Sequence, residues 1–491
     1  MIIGTIKKVV KSVVNYTGRF FDKRLEVRGE QIMKTMEERE TVVVNQLSDS
    51  RAEYVGASRF FNNDSVTFDA IIEESSQRCE VAAKGVHVLA IQDTSEINYQ
   101  AHRGKLSRSD KELGPVGNDK DIGFFIHPML VLERDSGFPL GIADTYSWNR
   151  NWDKKTKKER KYHSQPIEEK ESYRWIECAQ KTKEVLKEAA SVTIVADRES
   201  DIYEEFVEIP DAKTNLVIRS LHDRRLYDSD KKLFEHLSEL DVIGTYDLEI
   251  KTSQGKRTPR IAKMEVRYGK VKIARPSSCP QELPEFVELY AIEAREKSET
   301  IPADEDGVLW RLLTTHEVNS LEKALEVIHW YSMRWRIEEL FRTLKKEGLN
   351  VESTQLESGA GLKKLVLMAL NAALIIMQLV GDRDGEAGKS GDLVFTEEEL
   401  ECLEEIGKEY EGKTKLSKNP NEVYSLAWTA WIIGRMGGWK GYRKAGPAGP
   451  ITMKRGLQKF SILFEGWKLR EAVEVPLIEA PKYVCLEESY G

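Results

Sequence analysis

The stretch Tyr331-Ser-Met-Arg-Trp-Arg-Ile-Glu-Glu-Leu-Phe-Arg-Thr-Leu-Lys345 decides how the rest of this 491-residue chain is read. Residues 320–347 contain neither Gly nor Pro, strong helix formers dominate, and Gly348 stands where a C-cap would fall, so the spacing predicts one continuous helix. At about 100° per residue, Tyr331, Arg334, Glu338 and Lys345 share a sector roughly 60° wide. Ile337, Leu340, Phe341 and Leu344 fill the adjoining sector, which docks on a core. Taken alone, the polar stripe is better explained by spaced ion pairs on a solvated face. Its meaning depends on whether other carboxylates stand ready to join Glu338.

Two do. Val86-His-Val-Leu-Ala-Ile91 reads as a buried strand that runs into Asp93, and Val192-Thr-Ile-Val-Ala196 as another that ends at Asp197. Residues 124–132, 140–145 and 216–219 supply further strands, and residues 168–190 a helix. Ser200 and Asp201 suit the start of the next helix. The pattern predicts an α/β sheet of mixed strand direction, whose ligands bind at the carboxyl ends of strands. Between 223 and 305 the apolar period becomes two, which predicts an antiparallel β insertion with Gly269-Lys270 as a turn. Val308-Leu-Trp-Arg-Leu-Leu313 then returns to a buried strand. Residues 1–80 read as helical with a basic face that includes Lys23, Arg24 and Arg28. Beyond 359 the chain reads as helical again, with a buried helix over 359–380, an acidic helix over 394–412 and an apolar helix over 426–436.

Formal net charge is −8, which argues against a nucleic-acid partner until its distribution is read. Residues 382–412 carry twelve acids against three bases, whereas residues 1–34 carry eight bases against three acids and residues 251–275 nine against one. Without the acidic segment the chain is near neutral with basic patches, compatible with phosphate binding. Five scattered cysteines suggest neither a zinc site nor a disulfide framework. The start of the chain lacks the apolar run of a signal peptide, and the apolar stretch 365–380 is short and interrupted by Asn371 and Gln378. These features predict a cytoplasmic protein without a membrane span.

Three carboxylates brought to one sheet edge repel unless a cation joins them. Mg²⁺ prefers such oxygen donors, and a pair of ions serves in-line displacement at phosphorus. Glu199 and Asp201 compete with Asp197 for this role, and Glu339 competes with Glu338. Helical geometry favours Glu338, because Glu339 lies about 100° further round. Trp310 and Trp335 are candidates for stacking on a displaced base. No serine or cysteine nucleophile motif emerges.

The spacing Tyr331-x2-Arg334-x3-Glu338-x6-Lys345 resembles the Y-R-E-K signature of bacterial insertion-sequence transposases of the insertion-sequence-four family, in particular the transposon-five-like branch. Asp197-Arg-Glu-Ser-Asp-Ile-Tyr203 and Ile91-Gln-Asp-Thr94 resemble that family's two aspartate motifs, and Trp310-Arg-Leu-Leu-Thr-Thr315 its strand before the signature helix. The likeness extends to Ser58-Arg-Phe-Phe-Asn62 and to residues 426–438. It implies a ribonuclease-H-like catalytic domain over 81–380 with the β insertion at 222–305, an end-binding helical domain over 1–80 and a helical dimerisation domain over 381–491. It implies Asp93, Asp197 and Glu338 as ligands of two Mg²⁺ ions, with Mn²⁺ able to substitute. By the same resemblance Tyr331, Arg334 and Lys345 hold phosphates, Arg219 lies near the active site, and Trp310 stacks on a flipped base. Leu221 departs from the family's basic residue there. The implied partners are double-stranded transposon ends and target DNA bound by a homodimer in the bacterial cytoplasm, at the nucleoid. The implied reaction is nicking, hairpin formation and opening, and transfer of 3′-hydroxyl ends. A nuclease without strand transfer, or a non-catalytic end-binding inhibitor, would share parts of this pattern.

Overall fold

The computed structural model describes residues 14–153, 165–250, 257–346, 348–414, 417–441 and 446–473. The basic cluster at Lys7, Lys8 and Lys11 lies outside the described residues. Three helices come first: α1 (Lys23–Arg39), α2 (Arg51–Phe61) and α3 (Phe68–Ala83). Each begins at a short polar cap, Asp22, Ser50 or Thr67, whose side chain accepts a backbone N–H of the first turn. The strands β1 (His87–Gln92), β2 (Ser95–Asn98), β3 (Gly114–Val116), β4 (Asp121–Glu133) and β5 (Pro139–Trp148) follow. Helix α4 (Tyr173–Val185), β6 (Ser191–Ala196), the short α5 (Tyr203–Glu208), β7 (Thr214–Arg219) and α6 (Leu233–Glu239) come next. Then come β8 (Gly244–Ile250), β9 (Arg260–Ala274), β10 (Phe286–Glu296) and β11 (Leu309–Thr314). The remainder is helical: α7 (Leu321–Ser332), α8 (Trp335–Leu344), α9 (Gly359–Gly381), α10 (Glu397–Tyr410), α11 (Leu426–Met436) and α12 (Pro450–Val473).

All the strands join one mixed sheet in the order β2-β4-β1-β6-β7-β11-β10-β9-β8, with β3 and β5 also paired to β4. Strands β1, β6 and β7 run parallel, while β4 is antiparallel to both β1 and β5. The β insertion therefore extends this sheet through β11 rather than forming a layer of its own. Gly269 is not a turn: β9 runs straight through it, with Gly269 opposite Ala291. The period-two pattern holds on both sides of Gly269 because the strand is continuous. Four of the five basic side chains of β9 are ion-paired, while Lys263 is exposed. Arg260 pairs with Glu296 and Glu305, Arg267 with Glu265, Lys270 with Glu288 and Lys272 with Asp228.

One face of the sheet packs with α1, α2 and α7–α9, the other with α4–α6, and α3 contributes Ala70 and Ile71 to the first core and Cys79 and Ala83 to the second. Helix α9 is long and apolar enough to cross a membrane by length and composition, yet 83% of its apolar window is buried inside the protein. Its apolar residues Leu362, 365–370, 372–374 and Met377 belong to the sheet-facing core. Ile376 and Leu379 instead join the C-terminal core built by α10, α11 and α12. At about 1.5–3 kcal/mol per fully buried large apolar side chain, α9 is a major source of cohesion.

The opening stretch is not one helix. It forms α7 and α8, joined at Met333-Arg334 by successive i→i+3 bonds: Arg334 N–H to Tyr331, Arg336 N–H to Met333 and Ile337 N–H to Arg334. Ser332 Oγ bonds the His329 carbonyl at 2.6 Å, a local alternative to the helical ladder. The break is set by what its flanking side chains reach, which helix propensity does not register. Gly348 is not the left-handed cap either; helix α8 ends at Leu344 with Lys345 as its C-cap, and Asn350 takes the positive φ of 57°. Gly348 is needed for close approach, since a Cβ there would lie 1.7 Å from the Thr343 carbonyl oxygen. Gly348→Ala is expected to destabilise the fold by about 1–3 kcal/mol. The measurement is the urea midpoint, and an unchanged midpoint would show that the turn yields freely.

Candidate active site

The site begins with register. Strands β1 and β6 pair in parallel with Ile91 opposite Val195, so Asp93 and Asp197 occupy matching positions just past the last rung. Backbones at adjacent positions lie about 4.8 Å apart. One Asp93 carboxylate oxygen accepts the Thr94 N–H at 2.7 Å, and the other accepts Arg334 Nη1 at 2.9 Å. Asp197 caps a short 3-10 turn, Arg198–Ser200, by accepting the Glu199 N–H at 2.8 Å.

Glu338, in the first turn of α8, accepts Arg334 Nη2 at 2.7 Å. Arg334 thus bridges Asp93 and Glu338 from the break between α7 and α8. Glu339 is turned to Arg336 instead, at 3.0 Å. The other acids near Asp197 are also engaged: Glu199 accepts from Arg174, and Asp201 is buried against Arg224. The start of the next helix is therefore not at Ser200 or Asp201; α5 begins at Tyr203 behind Ile202.

Burial and the neighbouring Asp197 charge push the Asp93 carboxyl up to about 6, and the Arg334 contact only partly offsets this. Burial works against the charge on Arg334, but Tyr331, Glu338 and Asp93 outweigh it and raise its pKa. Tyr331 is buried rather than displayed, edge-on to Trp310 at 5.6 Å. Burial raises its phenol pKa, with Arg219 opposing. Arg219 donates Nη2 to the Leu309 carbonyl at 2.9 Å. Lys345 is partly buried; desolvation lowers its pKa while Glu352 and Glu96 hold it up. Trp310 is half-buried, whereas Trp335 is 56% exposed, with the Arg334 guanidinium carbon 5.4 Å from its ring centre. Lys23, Arg24 and Arg28 are elsewhere, on α1: Lys23 and Arg24 are exposed, Arg24 is paired with Asp22, and Arg28 is close against Gly56 of α2. Sequence reasoning placed Arg334 on phosphate and did not foresee its bridge between two carboxylates; the i,i+4 spacing to Glu338 signalled only half of it.

Among the described residues, no three His, Cys, Asp or Glu side chains already converge as ligands around one point. The donor set nevertheless suits a hard divalent cation. It is all carboxylate, and the raised pKa of Asp93 marks a carboxylate whose charge Arg334 compensates incompletely.

A family model described as "Transposase DDE domain" matches residues 62–376, a span that holds Asp93, Asp197, Glu338 and the eleven strands. Among solved structures, the chain is similar to one titled "Cryo-EM structure of piggyBac transposase synaptic complex with hairpin DNA". Identity is 9%, the match covers 93% of this chain and 73% of that one, and the TM-score is 0.37.

Proposed function

This chain belongs to the DDE-domain transposase family, an enzyme class defined by metal-dependent DNA cleavage and strand transfer, and on that premise we propose a cut-and-paste transposase working through Asp93, Asp197 and Glu338. The observation that carries this reading is the shared register of Asp93 and Asp197 together with the single arginine that ties Asp93 to Glu338. The three carboxylates would hold two Mg²⁺ ions, or Mn²⁺ in their place, which would supply activation of the attacking oxygen and stabilisation of the leaving oxygen at phosphorus. Without metal, Arg334 pairs with both Asp93 and Glu338 and offsets part of their charge; with metal and DNA, its guanidinium would be free to meet a phosphate. Arg219 and Lys345 flank it as further phosphate contacts, and Tyr331 backs Arg219. Trp310 stacks on a base flipped from the end.

The finer reading is excision by nicking, hairpin formation and hairpin opening, followed by transfer of the 3′-hydroxyl ends into target DNA. A ribonuclease-H-like core is supported by the order β5-β4-β1-β6-β7, in which two antiparallel strands precede three parallel ones. In this reading residues 1–80, including Lys23, Arg24 and Arg28, bind transposon ends, residues 81–380 catalyse with 222–305 as the insertion, and residues 381–491 join two copies. Self-association is supported by α12, which leaves Ile462 70% and Leu469 67% exposed one heptad apart. The site of action is the bacterial nucleoid.

The test uses purified protein, Mg²⁺ and a DNA bearing the inverted repeats that flank the gene. Wild type is expected to release hairpin-ended fragments. Glu338→Ala is expected to lose cleavage by roughly 1,000-fold or more, since the metal supplies several kcal/mol of transition-state stabilisation. Equal cleavage by both proteins would overturn the assignment.

A further inference from the structure

Behind the two aspartates runs a hydrogen-bonded chain of side chains that no apolar packing requires. Arg174 of α4 donates Nε to Thr94 Oγ1 at 3.0 Å, and Thr94 Oγ1 meets His127 Nδ1 at 2.9 Å. His127 Nε2 meets Gln92 Oε1 at 3.1 Å, and Gln92 donates Nε2 to Glu205 Oε1 at 3.2 Å. Glu205 Oε2 is bonded to Ser200 Oγ at 2.6 Å. Gln92, His127, Ser200 and Glu205 are fully buried, and His127 also packs edge-on against Trp175 at 4.6 Å.

The proton assignment follows from one end. Gln92 spends its amide N–H on Glu205, so its oxygen accepts from His127 Nε2–H. Burial keeps His127 neutral, which leaves Nδ1 to accept the Thr94 hydroxyl, while the Thr94 oxygen accepts from Arg174. Every donor along the path then has one acceptor, and bonds aligned in this way reinforce one another. Gln92 and Thr94 bracket Asp93. The turn that carries Asp197 is held twice, by Arg174 Nη2 on Glu199 at 2.7 Å and by Glu205 on Ser200. The two strand ends are thus pinned to each other from below, through four different elements.

We infer that Thr94, His127, Gln92 and Glu205 are positioning residues which fix the spacing of the Asp93 and Asp197 carboxylates. The inference rests on the reading of those two aspartates as a metal-holding pair. Outer residues that orient metal ligands are worth about 10–100-fold in metal affinity.

Thr94→Val keeps the side-chain shape and removes the hydroxyl on which the chain turns. Mn²⁺ binding to the full-length protein is measured directly by electron paramagnetic resonance, beside the Mn²⁺ concentration for half-maximal nicking of repeat-bearing DNA. The expected result is a 10–100-fold loss of Mn²⁺ affinity, a matching shift in the nicking curve, unchanged affinity for the same DNA in EDTA, and recovery in Thr94→Ser. Wild-type Mn²⁺ affinity in Thr94→Val overturns the inference. Asp93→Asn, measured alongside, separates the two levels. If it binds Mn²⁺ and nicks like wild type, the reading of the site itself falls; if it is dead while Thr94→Val is normal, only the positioning role falls. If Thr94→Val does not fold, Arg174→Lys decides, because it keeps the charge but cannot serve Thr94 and Glu199 together. The same affinity shift supports the inference, and no shift overturns it.

Discussion

Asp93→Asn is expected to abolish Mg²⁺-dependent cleavage while leaving the metal-free protein at least as stable as the parent at pH 7.5. The first half follows from removing a metal ligand, a loss of roughly 1,000-fold or more. The second follows from linkage. The folded pKa of Asp93 is raised from 3.8 to about 6, so the folded state binds a proton more tightly than the unfolded chain does. The contribution of this group is fully present below the ordinary carboxylate range and is lost as pH rises through 6. At pH 7.5 the penalty is at most about 3 kcal/mol, and the 20% exposure of the side chain leaves it little screened. Asparagine removes the penalty but leaves Arg334 with Glu338 alone, which returns part of the gain. Urea denaturation in EDTA checks this: the advantage of the variant should shrink as pH falls from 7.5 towards 4. A variant less stable than wild type at pH 7.5 would refute the electrostatic account. Added Mg²⁺ should stabilise wild type and not the variant, because only a folded state that binds metal gains from mass action.

Asp201→Ala is expected to produce the opposite phenotype, a loss of about 3–5 kcal/mol in stability from a residue four positions past Asp197. The Asp201 side chain is fully buried and that of Arg224 is 6% exposed, with their closest approach at 2.6 Å. Asp201 also accepts the backbone N–H groups of Leu221 and His222 at 2.8 and 2.9 Å, and Arg224 reaches the Asp201 carbonyl at 2.6 Å. Removing the carboxylate strands a buried guanidinium and two N–H groups at once. Asp201→Asn keeps part of the hydrogen bonding and should lose less. Equilibrium unfolding in urea measures both. Inactivity of Asp201→Ala at undiminished stability would instead mark Asp201 as part of the chemistry.

The contrast between Asp197 and Asp201 shows where the sequence stopped being informative. A buried strand followed by Asp-x-x-x-Asp displays both acids equally, and what separates them is Arg224, supplied from 23 residues downstream. The basic run of β9 shows the same limit of reading along the chain. Its partners include Glu288 and Glu296 on β10, so a charge count along the chain saw cations without the acids opposite them. The strands leading to Asp93 and Asp197, and the buried helix α9, were legible because short apolar runs and one long apolar run carry their own signal. The break at Met333-Arg334 was not, since nothing local forbids helix there. It is imposed by Tyr331 against Trp310 and by Arg334 between two carboxylates. The short strands β2 and β3, and helix α12, likewise depend on the neighbours that receive them.

Helix α9 has a consequence in time as well as in space. It covers a sheet face whose first strands are made more than two hundred residues earlier, and it also seats α1, α2 and α3. On a ribosome adding about 5–20 residues per second, that apolar face waits on the order of ten to fifty seconds for its cover. A nascent chain stopped between the last strand and residue 359 carries the sheet without α9, a species prone to aggregate or to be held by chaperones. The same order of synthesis means that Asp93 and Asp197 emerge long before Glu338.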